Sequence, residues 1–217
     1  MACLFIEKNK TAREFCNMQF PTSHTVYKAG NYANMGDCSD NKYYKCLENG
    51  NIIMKATGEH NRCEFRCIDE WSTNVEDYKI IKSIGRLDIG SQQLETTFVQ
   101  IHDNPAKSGI NKPLLRISWI KDYKGTKNHF WAVFKNSYDP NDGKYVHYDL
   151  GPYDYNFNEW KILVKDNVVS VKKNDVKLAE HDVTYYEDAV CYFKTGIYNQ
   201  GDGHSEYELQ DLWISVD

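Results

Sequence analysis

Three short segments of this 217-residue chain place polar side chains at every second position: Arg62-Cys63-Glu64-Phe65-Arg66, Gln100-Ile101-His102 and Tyr192-Phe193-Lys194-Thr195-Gly196-Ile197-Tyr198-Asn199-Gln200. A period of two is that of a β-strand. Read as strands, the segments present Arg62, Glu64 and Arg66 together, Gln100 with His102, and Tyr192, Lys194 and Tyr198 together. Phe65, Ile101, Phe193 and Ile197 point the other way, into a core. Guanidinium and ammonium groups hold a carboxylate, an amide adds a donor, and histidine and tyrosine exchange protons. Such a face could hold an acidic sugar and move a proton on it. Alternating charges alone also describe a solvated strand with cross-strand salt bridges, so the specificity lies in the three segments taken together. Gly196, between Lys194 and Tyr198, reads as an open spot for close ligand approach.

The elements that must carry these residues are strands. Alternation between turn clusters predicts strands over Ile80 to Ile89, Thr96 to His102, Leu114 to Ile120, His129 to Phe134, Lys144 to Tyr148, Trp160 to Val164, Val168 to Val171 and Val190 to Tyr198. Asn-Asp-Gly at 141–143, Lys-Asp-Asn at 165–167 and Lys-Asn-Asp at 173–175 are hairpin turn chemistry. Helix is expected only as a turn over Thr11 to Cys16 and another within Asp69 to Glu76. Many short strands without a βαβ rhythm predict an all-β sandwich or jelly roll of antiparallel sheets. With no linker and no repeat, residues 1–217 read as a single domain.

The formal net charge is −5, which argues against nonspecific nucleic-acid or membrane-surface binding; positive charge for an anionic ligand must be local. No segment approaches the roughly 20 apolar residues of a membrane span. Seven cysteines favour an oxidising compartment, and Asn9-Lys10-Thr11 is a glycosylation sequon. The apolar run at the N-terminus is too short for a signal peptide. Cys38 and Cys46 are the expected disulfide. Cys63 and Cys67 lie about 13 Å apart on one strand, too far to bridge each other, which leaves a bridge from either to Cys191 open. The spacing of Cys and His supports no zinc site. His24, His60, His129, His147, His181 and His204 show no catalytic spacing and read as structural or exposed.

In this order the three segments resemble the alginate lyases of polysaccharide lyase family 7, whose members carry Arg-Ser/Thr-Glu-Leu-Arg, Gln-Ile/Val-His and Tyr-Phe-Lys-Ala-Gly-x-Tyr-x-Gln strands. The likeness runs from about Asn49 to the C-terminus; residues 1–48 match nothing. Cys63, Phe65 and Thr195 depart from the pattern, all between the face-forming positions. The resemblance implies a concanavalin-like jelly roll with a concave substrate cleft, and a secreted, monomeric enzyme that needs no metal or cofactor. It also implies that Arg62 and Gln100 bind the uronate carboxylate while His102 and Tyr198 move protons. Glu64, Arg66, Lys194, Asn199 and Gln200 are assigned to substrate contacts and to holding that set in place.

The chemistry so implied is β-elimination: loss of the proton at C5, beside a carboxylate, and of the oxygen at C4. The developing dianion requires neutralisation, which Arg62 and Gln100 would supply. Tyr198 would be the acid, and for mannuronate also the base; its ordinary pKa of about 10 must then be lowered by Lys194 and the arginines. Ile101 tilts the expected preference towards guluronate or mixed blocks, with His102 as base. Two other readings stay open: a lyase for another polyuronate such as glucuronan, and a noncatalytic carbohydrate-binding jelly roll.

Overall fold

A computed structural model of the chain describes residues 8–32, 35 and 40–215. After a short helix, α1 (Lys10–Phe15), the first sheet takes β1 (Cys16–Gln19), β2 (Thr25–Tyr27), β5 (Arg62–Cys67), β7 (Glu95–Asp103), β8 (Pro113–Tyr123), β9 (Thr126–Lys135), β10 (Tyr145–Pro152) and β14 (Cys191–Asn199). The second takes β3 (Tyr44–Cys46), β4 (Ile52–Thr57), β6 (Lys79–Ile89), β11 (Asn158–Lys165), β12 (Val168–Lys173), β13 (Val176–Asp182) and β15 (His204–Ser215). Their spatial orders are β10-β9-β8-β7-β14-β5-β1-β2 and β13-β12-β11-β6-β15-β4-β3. All pairings within them are antiparallel. This is the jelly roll that the alternation predicted.

Period-two patterning explains the layering. Along β11, Trp160, Ile162 and Val164 are buried and Glu159, Lys161 and Leu163 less so. Val169 and Val171 extend the same inner face on β12. Between the sheets Trp160 meets Phe98 and Phe130 edge-on at 5.3 and 5.0 Å between ring centroids, and Tyr207 stacks on Phe98 at 5.6 Å. The Asp166-Asn167 and Asn174-Asp175 turns have positive φ at both residues, the geometry whose twist matches a two-residue hairpin.

A strand order of β7-β14-β5 makes the three polar segments immediate neighbours. Lys194 pairs with Gln100 on one side and Arg66 on the other, Tyr192 with His102, and Tyr198 with Arg62. A bulge lies between Thr195 and Tyr198 where β14 runs beside β7, which shifts the register of that pairing. Gly196 serves this packing rather than open access to a ligand. Its φ is +141°, and a Cβ there would lie 2.4 Å from the Cys63 carbonyl oxygen and 2.7 Å from Glu64 Cα. The hydroxyl of Thr195, the unusual residue of that strand, bonds Ser83 Oγ at 2.9 Å and donates to the Phe98 carbonyl at 3.1 Å.

Three expectations change. The helix over Lys10–Phe15 forms, but 69–76 is irregular, with Trp71 bridging Cys191 through the backbone. Cys63, Cys67 and Cys191 are free, buried thiols; the neighbour of Cys67 is Cys16, its cross-strand partner, with sulfurs 3.0 Å apart. Cys38 lies outside the described residues. Asn9 of the sequon is buried, its amide donating to the Gly50 carbonyl, so the folded structure leaves no open position there for a glycan.

Gly196→Ala should destabilise the fold by about 2–4 kcal/mol, because the added methyl meets backbone on a strained φ. Urea unfolding with an unchanged midpoint would show that β5 and β14 can part without cost.

Candidate active site

On the outer face of the first sheet lies a cleft of about 470 Å³ lined by His60, Arg62, Glu95, Gln100, His102, Asn111, Lys112, Pro113, Arg116, Tyr145, Tyr198 and Gln200. The fold therefore brings Arg62, Gln100, His102, Tyr198 and Gln200 together, although they come from β5, β7 and β14 and the turn after it.

Beneath them sits Glu64, 1% exposed. Its carboxylate accepts from Lys194 Nζ at 2.5 Å, from Gln100 Nε2 and from Arg62 Nη1 at 3.4 Å. Burial alone would raise the Glu64 pKa; attraction to Lys194 and Arg62 and the bonds from Lys194 and Gln100 outweigh it and hold the carboxyl below its ordinary value. A carboxylate can only accept, so it fixes the Gln100 amide with nitrogen toward Glu64, leaving the second N–H for the cleft. Lys194, 2% exposed, is thus a buried counter-ion rather than a cleft-lining group. Arg66 leaves the cleft as well: it pairs with Glu70 and stacks over the Tyr192 ring at 3.9 Å. Asn199, past the bulge, turns inward and donates to the Ala56 and Gly203 carbonyls at 3.0 and 2.9 Å. Of the five residues assigned to contact or support, Gln200 alone lines the cleft.

The proton-transfer groups are held differently. His102 Nδ1 donates to the Asp103 carbonyl at 2.8 Å, because a carbonyl cannot donate; a neutral imidazole so fixed keeps its lone pair on Nε2. Its ring stacks on Tyr192 with centroids 5.7 Å apart. Tyr198 lies under Arg62, whose guanidinium carbon is 4.4 Å from the ring centroid. Burial raises the Tyr198 pKa and Arg62 offsets only part of the rise. The lowered value that a tyrosine base requires is absent, and at neutral pH the phenol keeps its proton, as an acid must.

Sequence reasoning missed Arg116, Glu95, Tyr145, Asn111, Lys112 and His60. Arg116 is the cross-strand partner of Gln100, pairs with Glu95 at 3.1 Å and lies 5.4 Å from the Tyr145 ring centroid. A lone charge within the apolar run Leu114-Leu115-Arg116-Ile117 was its signal. Asn111 and Lys112 are placed by buried Asp103, whose carboxylate accepts from both backbone amides at 3.0 and 2.9 Å. His60, which has no catalytic spacing in the sequence, is exposed yet reaches the site, its Nδ1 hydrogen-bonded to Tyr198 Oη at 3.0 Å.

The model of a family described as alginate lyase matches residues 17–215. This chain belongs to the alginate lyase family. The match also takes in residues 17–48, for which the segments offered no likeness. An alginate lyase from Photobacterium sp. (strain ATCC 43367) is 30% identical over 115 residues, 47% of this chain and 40% of that protein, so the chain spans about two fifths of the length of this curated relative. The structure of alginate lyase AlyC3 superposes with a TM-score of 0.81 at 23% identity, covering 95% of this chain and 91% of that one. The family 7 alginate lyase A1-II', solved in complex with product (GGG), superposes with a TM-score of 0.75 at 19% identity, covering 96% and 97%. At these identities the structural likenesses establish the family's fold. No helix among the described residues is long and apolar enough to cross a membrane.

Lys194→Met should cost about 3–5 kcal/mol, since it strands a buried carboxylate; Glu64→Gln should lose less and also loosen Gln100. Because the folded Glu64 pKa is depressed, its stabilisation is full above the ordinary carboxylate range and is lost as pH falls through the lower folded value. Urea unfolding at stepped acid pH should therefore give the native protein a steeper loss of stability than Glu64→Gln. Parallel curves would remove Glu64 from the acid response.

Proposed function

We propose that this protein cleaves alginate by β-elimination, leaving an unsaturated uronate end, and that it acts as a secreted monomer on guluronate or mixed blocks. The observation that carries the reading is the convergence of Arg62, Gln100, His102 and Tyr198 in one cleft, a set with both carboxylate-binding and proton-moving members. A module that only bound sugar would need rings and donors, but no oriented imidazole sharing its cleft with a tyrosine hydroxyl.

The uronate carboxylate binds between Arg62 and the free Gln100 N–H, where added negative charge on removal of the C5 proton is met by fixed donors. Arg62, Arg116 and Lys112 all line this cleft, which supports an anionic ligand in it. His102 takes the C5 proton on Nε2; the C–H electron pair becomes the C4–C5 double bond; Tyr198 protonates the departing O4. Guluronate needs base and acid on opposite sides of the ring, and a histidine with Nε2 free plus a tyrosine kept protonated suits that division of labour. Mannuronate would ask Tyr198 to be both, which its raised pKa disfavours. The burial of the phenol thus supports the same preference as Ile101.

Tyr198→Phe should lower the rate constant for turnover by roughly a hundred- to ten-thousand-fold with little change in KM, read as ultraviolet absorbance of the unsaturated product on polyguluronate, polymannuronate and glucuronan. Near-normal activity would remove Tyr198 from the mechanism, faster polymannuronate cleavage would reverse the proposed preference, and product from glucuronan alone would reassign the substrate.

Turnover should also fall as salt rises from low to physiological ionic strength, because Arg62, Arg116 and Lys112 meet a polyanion on a protein of net charge −5. A flat response would argue against electrostatic capture.

A further inference from the structure

His60 lies outside all three polar segments, on the loop between β4 and β5, yet it makes the hydrogen bond to the Tyr198 hydroxyl at 3.0 Å. The two rings are close to parallel, 18° apart with centroids at 6.2 Å. The imidazole is 69% exposed, with Nε2 3.8 Å from the Glu59 carboxylate at the cleft rim. Tyr198 is part-buried, with the Arg62 guanidinium over its ring, and the other charges that act on it are Glu64 on β5, Arg116 from β8 and Glu59 from the loop. One side of the phenol hydroxyl thus meets the cleft and another meets an imidazole open to solvent.

We infer that His60 is a positioning residue that connects Tyr198 to solvent and restores its proton after each elimination. The inference rests on the reading of Tyr198 as the acid. With His60 Nδ1–H donating to Oη, the phenol proton is left free to face the departing O4. When that proton moves to O4 as the C4–O4 bond breaks, the Nδ1 proton passes to the phenolate while exposed Nε2 takes a proton from water; exchange of the solvent-exposed ring with water then moves a proton from Nε2 back to Nδ1 and resets His60. The proton that His102 removed from C5 returns to solvent, so charge and protons balance over the cycle. While product occupies the cleft, His60 is the side from which the phenolate regains its proton.

The backbone of His60 sits at φ +61°, a conformation that asparagine and glycine accept readily, which makes His60→Asn and His60→Gly the informative variants. On mixed alginate, both should lose about tenfold or more in kcat with KM within about twofold, with folding verified by circular dichroism. Added imidazole should restore His60→Gly and leave His60→Asn unchanged. In a Tyr198→Phe background, His60→Asn should lower the residual rate no further, because the group it serves is gone. A kcat within twofold of the native protein, a loss confined to KM, or a folded His60→Gly that imidazole does not rescue would each overturn the inference. An active Tyr198→Phe would instead overturn the reading on which it rests.

Discussion

The carboxylate of Glu64 is the point from which the site is built. It lies on β5 under the cleft floor and receives Lys194 from β14, Gln100 from β7 and Arg62 from its own strand. An isolated charge at that depth would be prohibitively costly, and a buried lysine likewise. Together they fix which way an amide faces and where a guanidinium rests. The cleft side of Gln100 and Arg62 then presents donors that need no reorganisation when charge develops on a bound sugar. The pair's value lies in specifying geometry more than in net stability.

Charge in this molecule is arranged by layer. Lys194 and Glu64 cancel beneath the floor, and Arg66 is spent on Glu70 and the Tyr192 ring. The positive field facing solvent comes from Arg62, Arg116 and Lys112, with Glu95 tempering Arg116. Burial raises the Glu95 pKa, and Arg116 offsets it only partly. A chain that is acidic as a whole can therefore present a basic groove without accumulating unscreened positive charge.

Much of this was legible from alternation. Strands β5 to β12 and β14, the two tight turns at 166–167 and 174–175 and the neighbourhood of Arg62, Gln100, His102 and Tyr198 follow from period-two patterning and from order along the chain, whereas β1 to β4, β13 and β15 are not among the predicted strands. What alternation could not give was depth. Glu64 and Lys194 share a strand face with Arg62 and Tyr198, yet the charged pair is buried at the floor while the arginine and the ring stay partly open above it. Asn199 has the parity of Phe193 and Ile197, so alternation itself turns it inward, and its assignment to the substrate came from the family pattern rather than from the period of two. Gly196 carries a steric requirement that only the neighbouring backbone reveals. Contributions from outside the segments depended on pairing: Arg116 is beside Gln100 because β8 is beside β7, and His60 reaches Tyr198 because the turn before β5 closes over the end of β14.

The order of strands also dictates when the site can exist. β14 lies between β5 and β7, so a segment from the last third of the chain must be inserted between two strands made long before it. Until then Glu64 has no lysine, Gln100 and Arg62 have no common floor, and two inner strand edges stand unpaired. Such non-local closure is slow compared with local hairpins, and during synthesis the growing polypeptide passes through a long interval in which most of the sandwich is present and no cleft is. Appearance of the site is consequently a marker of completed assembly, and a molecule halted before β14 docks is inert and liable to strand-edge association.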